Sequence, residues 1–289
     1  MELFVNNLTI IDFSFLDFTR GLVGESLIVD VCVQGKLDSH SMVMDFSLVK
    51  KVIREYLDAT IDHALVVPLK NKNVSFVQHG STGEATLYTD EGSMDCFISG
   101  PSESFYPIPA ETIDKNALEK WLKTKISERL PDNVSGFTLM LREQHIAGNY
   151  YHYAHSLKKH AGNCQRIAHG HRSAIIIFVD GERSASWEMF WAERWRDCYL
   201  MSEEDVVDSE QLSARAQKLC NPKFIASAYT ASKGRYEILL RHEHVEILPC
   251  DTTIERIAAY IKQEIGYLQP ELKDVSVYAF EGIEKGAHV

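Results

Sequence analysis

Histidine and cysteine are concentrated in one short stretch near the middle of the chain, HAGNCQRIAHGHRS, which begins at His160. His169 and His171 are two positions apart, so on a β-strand both side chains would point to the same face. His155 lies upstream in the strand-like segment YYHYAHSL, and pairing of the two strands would bring it to that face. Three neutral imidazoles that leave one tetrahedral position open form a catalytic type of zinc site. The spacing alone leaves His152 and His160 as alternatives to His155.

Cys164 lies just before the histidine pair, in a segment that is rich in positive charge. Basic neighbours favour the thiolate form of a cysteine, which is its reactive form. The same local patch in an otherwise acidic chain would suit a phosphorylated substrate. A solvated surface loop explains the charges equally well. The basic residues near Cys164 in the sequence are Lys158, Lys159, His160, Arg166 and Arg172.

The dipeptide Asp62–His63 follows a helix-like segment in the first half of the chain. A carboxylate can orient and charge a histidine for proton transfer. Two such residues are also common in an ordinary turn. A catalytic role would require a partner site, and the first half of the chain contains no other cluster of this kind.

Two segments that could position these residues look like copies of one another, residues 108–143 and residues 248–281. Each begins with an apolar residue and proline, and continues through an amphipathic helix and a proline-containing turn to a strand that ends in glutamate. A period near half the chain length indicates a duplicated module. We place the boundary near residue 146, which gives modules at residues 1–146 and 147–289. Paired strands with intervening helices predict an α+β fold built on antiparallel sheets.

Helical periodicity marks three segments. Thr252 and Glu255 have the spacing of a capping box at the start of a helix whose apolar face is Ile254, Ile257, Ala258, Ile261 and Ile265. The matching face in the first copy is Leu118, Trp121, Leu122 and Ile126. Asp45 is placed to cap a further helix with the apolar face Leu48, Val49, Val52, Ile53, Tyr56 and Leu57. The second half shows no clear counterpart of that helix. Its corresponding region contains Trp187, Phe190, Trp191 and Trp195, for which we favour core packing.

The composition limits the class of function. The 289 residues carry a formal net charge of −11, which argues against general nucleic-acid binding because counterion displacement needs a basic surface. No apolar run is long enough to span a bilayer, and the N-terminus does not resemble a signal peptide. The six cysteines are scattered without a CxxC pair, which predicts reduced thiols and a cytoplasmic protein.

The combined motifs resemble the 6-pyruvoyltetrahydropterin synthase family, which includes the 6-carboxytetrahydropterin synthases. The resemblance rests on HGH with a preceding cysteine and an upstream histidine, on MVMDFSLVKKV, on the DH dipeptide, on a TxE helix start and on a final strand ending in Glu. It covers most of both halves, each with part of the motif set. It implies tandem tunnelling-fold modules, each a four-stranded antiparallel sheet with two helices on one face, and association into homo-oligomers.

The resemblance also implies roles for individual residues. Zinc would be held by His155, His169 and His171, and would acidify carbon-bound protons beside the substrate hydroxyls it binds. Cys164, Asp62 and His63 would carry out proton transfer. Glu281 would anchor a pterin, with Glu143 as its counterpart in the first half, and Lys158, Lys159 and Arg166 would face a triphosphate.

The two halves keep complementary parts of the motif set, which predicts one composite site shared between a first half and a second half. Whether the two halves belong to one chain or to neighbouring chains stays open at this point. The implied activity is that of a zinc-dependent lyase converting 7,8-dihydroneopterin triphosphate to 6-carboxytetrahydropterin, for queuosine and related deazapurines. The alternatives are formation of the 6-pyruvoyl product, and a non-catalytic module pair that binds a pterin or a protein. The nitrile reductase of the deazaguanine pathway ranks low, because its ESKS-type motif is missing.

Overall fold

The computed structural model describes residues 1–289 and contains three β-sheets. The elements of the first half are β1 (Glu2–Asp17), β2 (Gly21–Gly35), α1 (Phe46–Thr60), β3 (Leu65–Pro68), β4 (Val74–His79), β5 (Thr82–Tyr88), β6 (Met94–Pro101), β7 (Phe105–Ile108), α2 (Lys115–Ser127) and β8 (Val134–Arg142). The elements of the second half are β9 (Tyr150–His155), β10 (His169–Val179), β11 (Glu182–Arg183), α3 (Ala185–Arg194), β12 (Cys198–Ser202), α4 (Ala214–Leu219), β13 (Phe224–Ala231), β14 (Gly234–Arg241), β15 (Val245–Leu248), α5 (Ile254–Leu268), β16 (Val275–Phe280) and β17 (Gly286–His288). The predicted boundary at residue 146 falls in the link between β8 and β9.

Two of the sheets have matching strand orders. The first is β7-β3-β1-β2-β8, and the second is β15-β12-β9-β10-β16-β17 with β11 paired to β10. In both, the long strand pair is antiparallel, and two short strands are added to one edge in parallel orientation. The α+β class predicted from the sequence is confirmed. Each sheet is larger than the expected four strands because these short segments join its edge.

Helices α1 and α2 pack into one core on the first sheet. Val49, Ile53 and Leu57 of α1 are fully buried, as are Leu122 and Ile126 of α2. Asp45 caps α1 by accepting a hydrogen bond from the backbone N–H of Ser47 at 2.7 Å, as predicted. The prediction of Leu48 as a core residue is wrong, because 45% of it is exposed.

Helices α3 and α5 serve the second sheet in the same way. The five predicted core residues of α5 are all buried. The aromatic region that lacked a counterpart forms α3, which lies between β10 and β12 as α1 lies between β2 and β3. Trp191 and Trp195 are completely buried in this core, whereas Phe190 is 41% exposed. Core packing is therefore confirmed for these two tryptophans.

The third sheet joins the two halves. Its order is β13-β14-β6-β5-β4, and the only pairing between halves is the antiparallel pair β14–β6, in which Ile238 lies opposite Ile98. Its core combines buried residues from both parts of the chain. No helix in the structure is long and apolar enough to cross a membrane.

Candidate active site and metal centre

The three predicted metal ligands lie side by side on β9 and β10. These strands are antiparallel with His155 directly opposite His169, and His171 is two residues further along β10 on the same face. All three side chains are completely buried. The alternative His152 lies opposite Arg172 and is three residues from His155, so it points to the other face of the sheet.

Hydrogen bonds to backbone carbonyls orient two of the three imidazoles. The Nδ1 atoms of His155 and His169 lie 3.0 Å from the carbonyl oxygens of Thr252 and Arg166, respectively. A carbonyl only accepts, so each Nδ1 carries the proton and each Nε2 keeps its lone pair. The Nε2 atom of His169 is buried without a hydrogen-bond partner, and the Nε2 atoms of His155 and His171 are 3.2 Å apart.

Thr252 therefore has a different role from the predicted one. The N-cap of α5 is Thr253, and no side chain caps that helix, so the predicted capping box is wrong. Thr252 is buried instead, and its hydroxyl donates a hydrogen bond to the carbonyl of Ser156 at 2.9 Å. The carbonyl of Thr252 accepts the hydrogen bond from His155 Nδ1 and thereby orients that imidazole.

The cluster fits a transition-metal ion such as zinc. One ligating atom from each histidine lies within 4.8 Å of the others. Burial, reinforced by neighbouring positive charge, lowers the pKa of His155 and of His169 well below the usual histidine value. Both are consequently neutral, as metal ligands must be. An all-nitrogen donor set suits zinc and related ions better than the oxygen-preferring Mg²⁺ and Ca²⁺.

Asp62 and His63 form a tight pair beside this cluster. His63 Nδ1 lies 2.6 Å from Asp62 Oδ2, and Asp62 Oδ1 accepts a hydrogen bond from the backbone N–H of Asp12 at 3.0 Å. His63 has a φ of 55°, which is unusual for a residue other than glycine. Burial alone would lower the pKa of His63, but hydrogen bonds and charge from Asp62 and Cys164 outweigh it and raise that pKa to about 10. His63 is therefore protonated at neutral pH.

Cys164 lies in a single 3₁₀ turn, Asn163–Gln165, that faces His63. One ligating atom each of His63, Cys164 and His169 lie within 4.8 Å of one another. The His63 ring centroid is 5.1 Å from that of His169. Residues from the two halves of one chain thus meet in one pocket.

The third sheet holds the turn that carries Cys164. The Tyr229 hydroxyl donates a hydrogen bond to the Gln165 carbonyl at 2.7 Å, and the Gln165 side chain accepts one from the backbone N–H of Lys233 at 3.0 Å. Lys233 Nζ also donates to the side chain of Asn163 at 2.6 Å. Both residues that flank Cys164 are thereby fixed by the β13–β14 hairpin.

The second half of the chain resembles known proteins. Residues 147–288 match the family model described as 6-pyruvoyl tetrahydropterin synthase. This match spans the second half of the chain.

Solved structures that resemble the chain include 6-pyruvoyltetrahydropterin synthase from Plasmodium vivax, at 17% identity, and the Plasmodium falciparum protein of the same name, at 13% identity. Each match covers 49% of this chain and 97% of the other chain, with a TM-score of 0.39. No curated protein matches the chain.

Sequence reasoning missed Asp12 and Lys285, which lie beside the histidine cluster. Asp12 on β1 is buried, and its Oδ1 lies 3.2 Å from His171 Nδ1. Its Oδ2 accepts a hydrogen bond from Lys285 Nζ at 2.9 Å. Burial would raise the pKa of Asp12, but His171, Lys285 and Ser26 together hold it well below the usual value. A charged residue within the apolar run LTIIDFSF was the available signal.

Of the remaining predicted site residues, one lies at the histidine cluster and three are engaged in other contacts. Glu281 follows β16 and places Oε1 3.7 Å from His171 Nε2, at the histidine cluster. Lys158 is paired with Glu204 and Asp205, and Lys159 with Glu204 and Asp251, so neither ammonium is free to bind a triphosphate. Arg166 is buried and donates to the carbonyl of Asp62 at 3.1 Å.

The first half has no counterpart of the three-histidine cluster. Gly24 and Gly170 pack against each other, so that a Cβ atom on Gly170 would lie 2.6 Å from the Cα of Gly24. When these glycines are matched, the register places Val23, Phe15 and Glu25 at the positions of His169, His155 and His171. Two of these three replacements are apolar, so no comparable metal site forms there.

Glu25 gives a pH-dependent prediction. Burial raises its pKa to about 7, so its ionisation above that pH costs folding stability. The penalty is absent at pH 4, grows between about pH 5 and pH 7, and is complete at pH 8. Glu25→Gln keeps the acceptor for the N–H of Ser26 and should stabilise the protein at pH 8 by on the order of 2–3 kcal/mol, with no gain at pH 4.

Denaturant unfolding at the two pH values measures this difference. Glu143→Gln is the matched control, because Lys115, 2.8 Å away, lowers the pKa of Glu143 and the same change should not stabilise. An equal gain for Glu25→Gln at pH 4 and pH 8 would contradict the prediction.

Proposed function

We propose that the chain is a cytoplasmic zinc-dependent lyase that converts 7,8-dihydroneopterin triphosphate to 6-carboxytetrahydropterin. The observation that carries the proposal is the meeting of Cys164, His63 and three convergent imidazoles in one pocket. The match of residues 147–288 to the 6-pyruvoyl tetrahydropterin synthase family model supports a pterin substrate. Zinc bound by His155, His169 and His171 would supply a Lewis acid that increases the acidity of carbon-bound protons beside coordinated hydroxyls.

The residues around the ligands divide the proton transfer between them. Cys164 is assigned the acceptance of the proton from carbon, because its sulfur lies within 4.8 Å of a ring nitrogen of His63 and of His169. Asp62 holds His63 Nδ1, so that His63 presents Nε2 to the pocket and returns a proton from that atom. The hydrogen bond from the backbone of Asp12 fixes Asp62 in turn.

Substrate orientation is assigned to Glu281. A carboxylate accepts strong, paired hydrogen bonds from the N–H donors of a pterin ring. Glu281 is partly exposed and lies beside His171, so a ring bound to it would place its side chain near the histidine cluster. Lys285, which is ion-paired with Asp12, lies on the same loop.

The chain is also proposed to form a homo-oligomer. β8 pairs only with β2, so its other edge presents unpaired backbone groups. Such an edge favours pairing with another chain.

Incubation of the zinc-loaded protein with 7,8-dihydroneopterin triphosphate, followed by mass spectrometry of the products, tests the proposed function. We expect 6-carboxytetrahydropterin. Release of triphosphate with the 6-pyruvoyl compound would instead establish the pyruvoyl-forming reaction. Tight binding of the pterin without turnover would establish a non-catalytic role.

A further inference from the structure

Two groups of potential metal ligands in this pocket share one residue. The first group is His155, His169 and His171, and the second is His63, Cys164 and His169. In each group, one ligating atom per residue lies within 4.8 Å of the others. The shared residue is completely buried between the two groups.

His169 can complete only one group at a time. Its Nδ1 lies 3.0 Å from the carbonyl of Arg166 and must carry a proton to make that hydrogen bond. Only Nε2 then has a lone pair, and one imidazole nitrogen binds one ion. An ion held by the second group therefore deprives the first group of a ligand.

The second group has the supporting contacts of a metal site. Histidine ligands of metals usually donate their other N–H to a carboxylate. His63 does so, with Nδ1 2.6 Å from Asp62 Oδ2, and Asp62 is itself held by the backbone of Asp12. The hydrogen bonds of Gln165 and Asn163 to the third sheet fix the turn that carries the Cys164 sulfur.

The two groups differ in softness. The first offers three nitrogens, whereas the second offers two nitrogens and a sulfur. Thiolate ligands favour soft, thiophilic cations.

We propose that the pocket holds one divalent ion at either of two overlapping positions, with zinc bound by the three imidazoles and a thiophilic cation such as Cd²⁺ bound by His63, Cys164 and His169. An ion at the second position releases the protons of His63 Nε2 and Cys164 Sγ to solvent, and it then occupies both the thiol and the imidazole assigned to proton transfer. If the proposed function holds, such an ion inhibits the enzyme.

Titration of the metal-free protein with Cd²⁺ tests the two positions without any turnover. We expect one Cd²⁺ per chain and an ultraviolet charge-transfer band from a cadmium–thiolate bond. Cys164→Ser should still bind one Cd²⁺, through the three imidazoles, but should lose the band. Cys250→Ser is the matched control and should keep both the ion and the band. Binding of one zinc ion by Cys164→Ser shows that this variant is folded.

Three results would overturn the inference: no band in the wild-type protein, a band that persists in Cys164→Ser, or two tightly bound Cd²⁺ per chain. An activity measurement separates this inference from the proposed function. Cadmium-loaded protein should have less than about a hundredth of the zinc-form activity, because both proton-transfer groups are engaged. If the zinc form does not turn over the pterin but the band behaves as expected, the proposed function fails and the second position stands.

Discussion

Replacing His169 and His171 together by alanine is expected to abolish zinc binding, and with it turnover of the pterin. The wild-type chain should contain one zinc, because the first half has Val23, Phe15 and Glu25 at the corresponding positions. Loss of even an outer-shell partner weakens metal sites by about 10–100-fold, so loss of two of three ligands should reduce affinity by well over a hundredfold. Elemental analysis of protein purified without added metal measures the zinc content.

The control for this variant is His152→Ala. His152 is on the same strand as His155, but it faces away from the cluster, and its Nδ1 contacts the carbonyl of Gly24 at 2.8 Å. This change should leave one zinc per chain. Two zinc ions in the wild-type chain, or zinc retained by the double variant, would show that the ligands are assigned wrongly.

Loss of Cys164 or of His63 is expected to cause a large decrease in kcat. Cys164→Ala should reduce kcat by about 1,000-fold and His63→Asn by about 100-fold, within the range for general acid–base groups. Asparagine is chosen because it tolerates the positive φ of residue 63. Both variants should keep one zinc, since neither residue belongs to the three-histidine group.

Mixing these two variants under conditions of subunit exchange decides whether the site is formed within one chain. His63, Cys164 and His169 come together in a single chain, so we expect no recovery of activity. Recovery would show that the working site combines halves from two chains. If His63→Asn alone keeps full activity, Asp62 and His63 are only turn residues. Cys220→Ala, which changes a cysteine far from the motif, should be as active as the wild type.

Local sequence patterns determined the orientation of two site histidines and the buried face of a helix. A strand has a period of two, so HGH already places His169 and His171 on one face. Helical periodicity identified all five core residues of α5. The same reasoning failed at Leu48 and at the capping box, because tertiary contacts compete with local preferences. Thr252 forms hydrogen bonds with Ser156 and His155 instead of capping its helix.

The choice of His155 over His152 required the register of two strands. The two residues differ by an odd number of positions, so they must face opposite sides of β9. Which side meets His169 depends on the pairing of β9 with β10, and the sequence of neither strand states that pairing. The α3 helix was not predicted, although Trp187, Trp191 and Trp195 have the four-residue spacing of one helix face.

The sequence by itself determined which residue types could form the site, and its family resemblance predicted that the two halves keep complementary sets. Only the tertiary structure decided that one chain brings both sets together. The contact between Gly24 and Gly170 lets the two sheets approach closely, and the β14–β6 pairing joins the halves in a common sheet. These contacts link residues more than a hundred positions apart. Their formation depends on the packing of the whole chain, which no local pattern encodes.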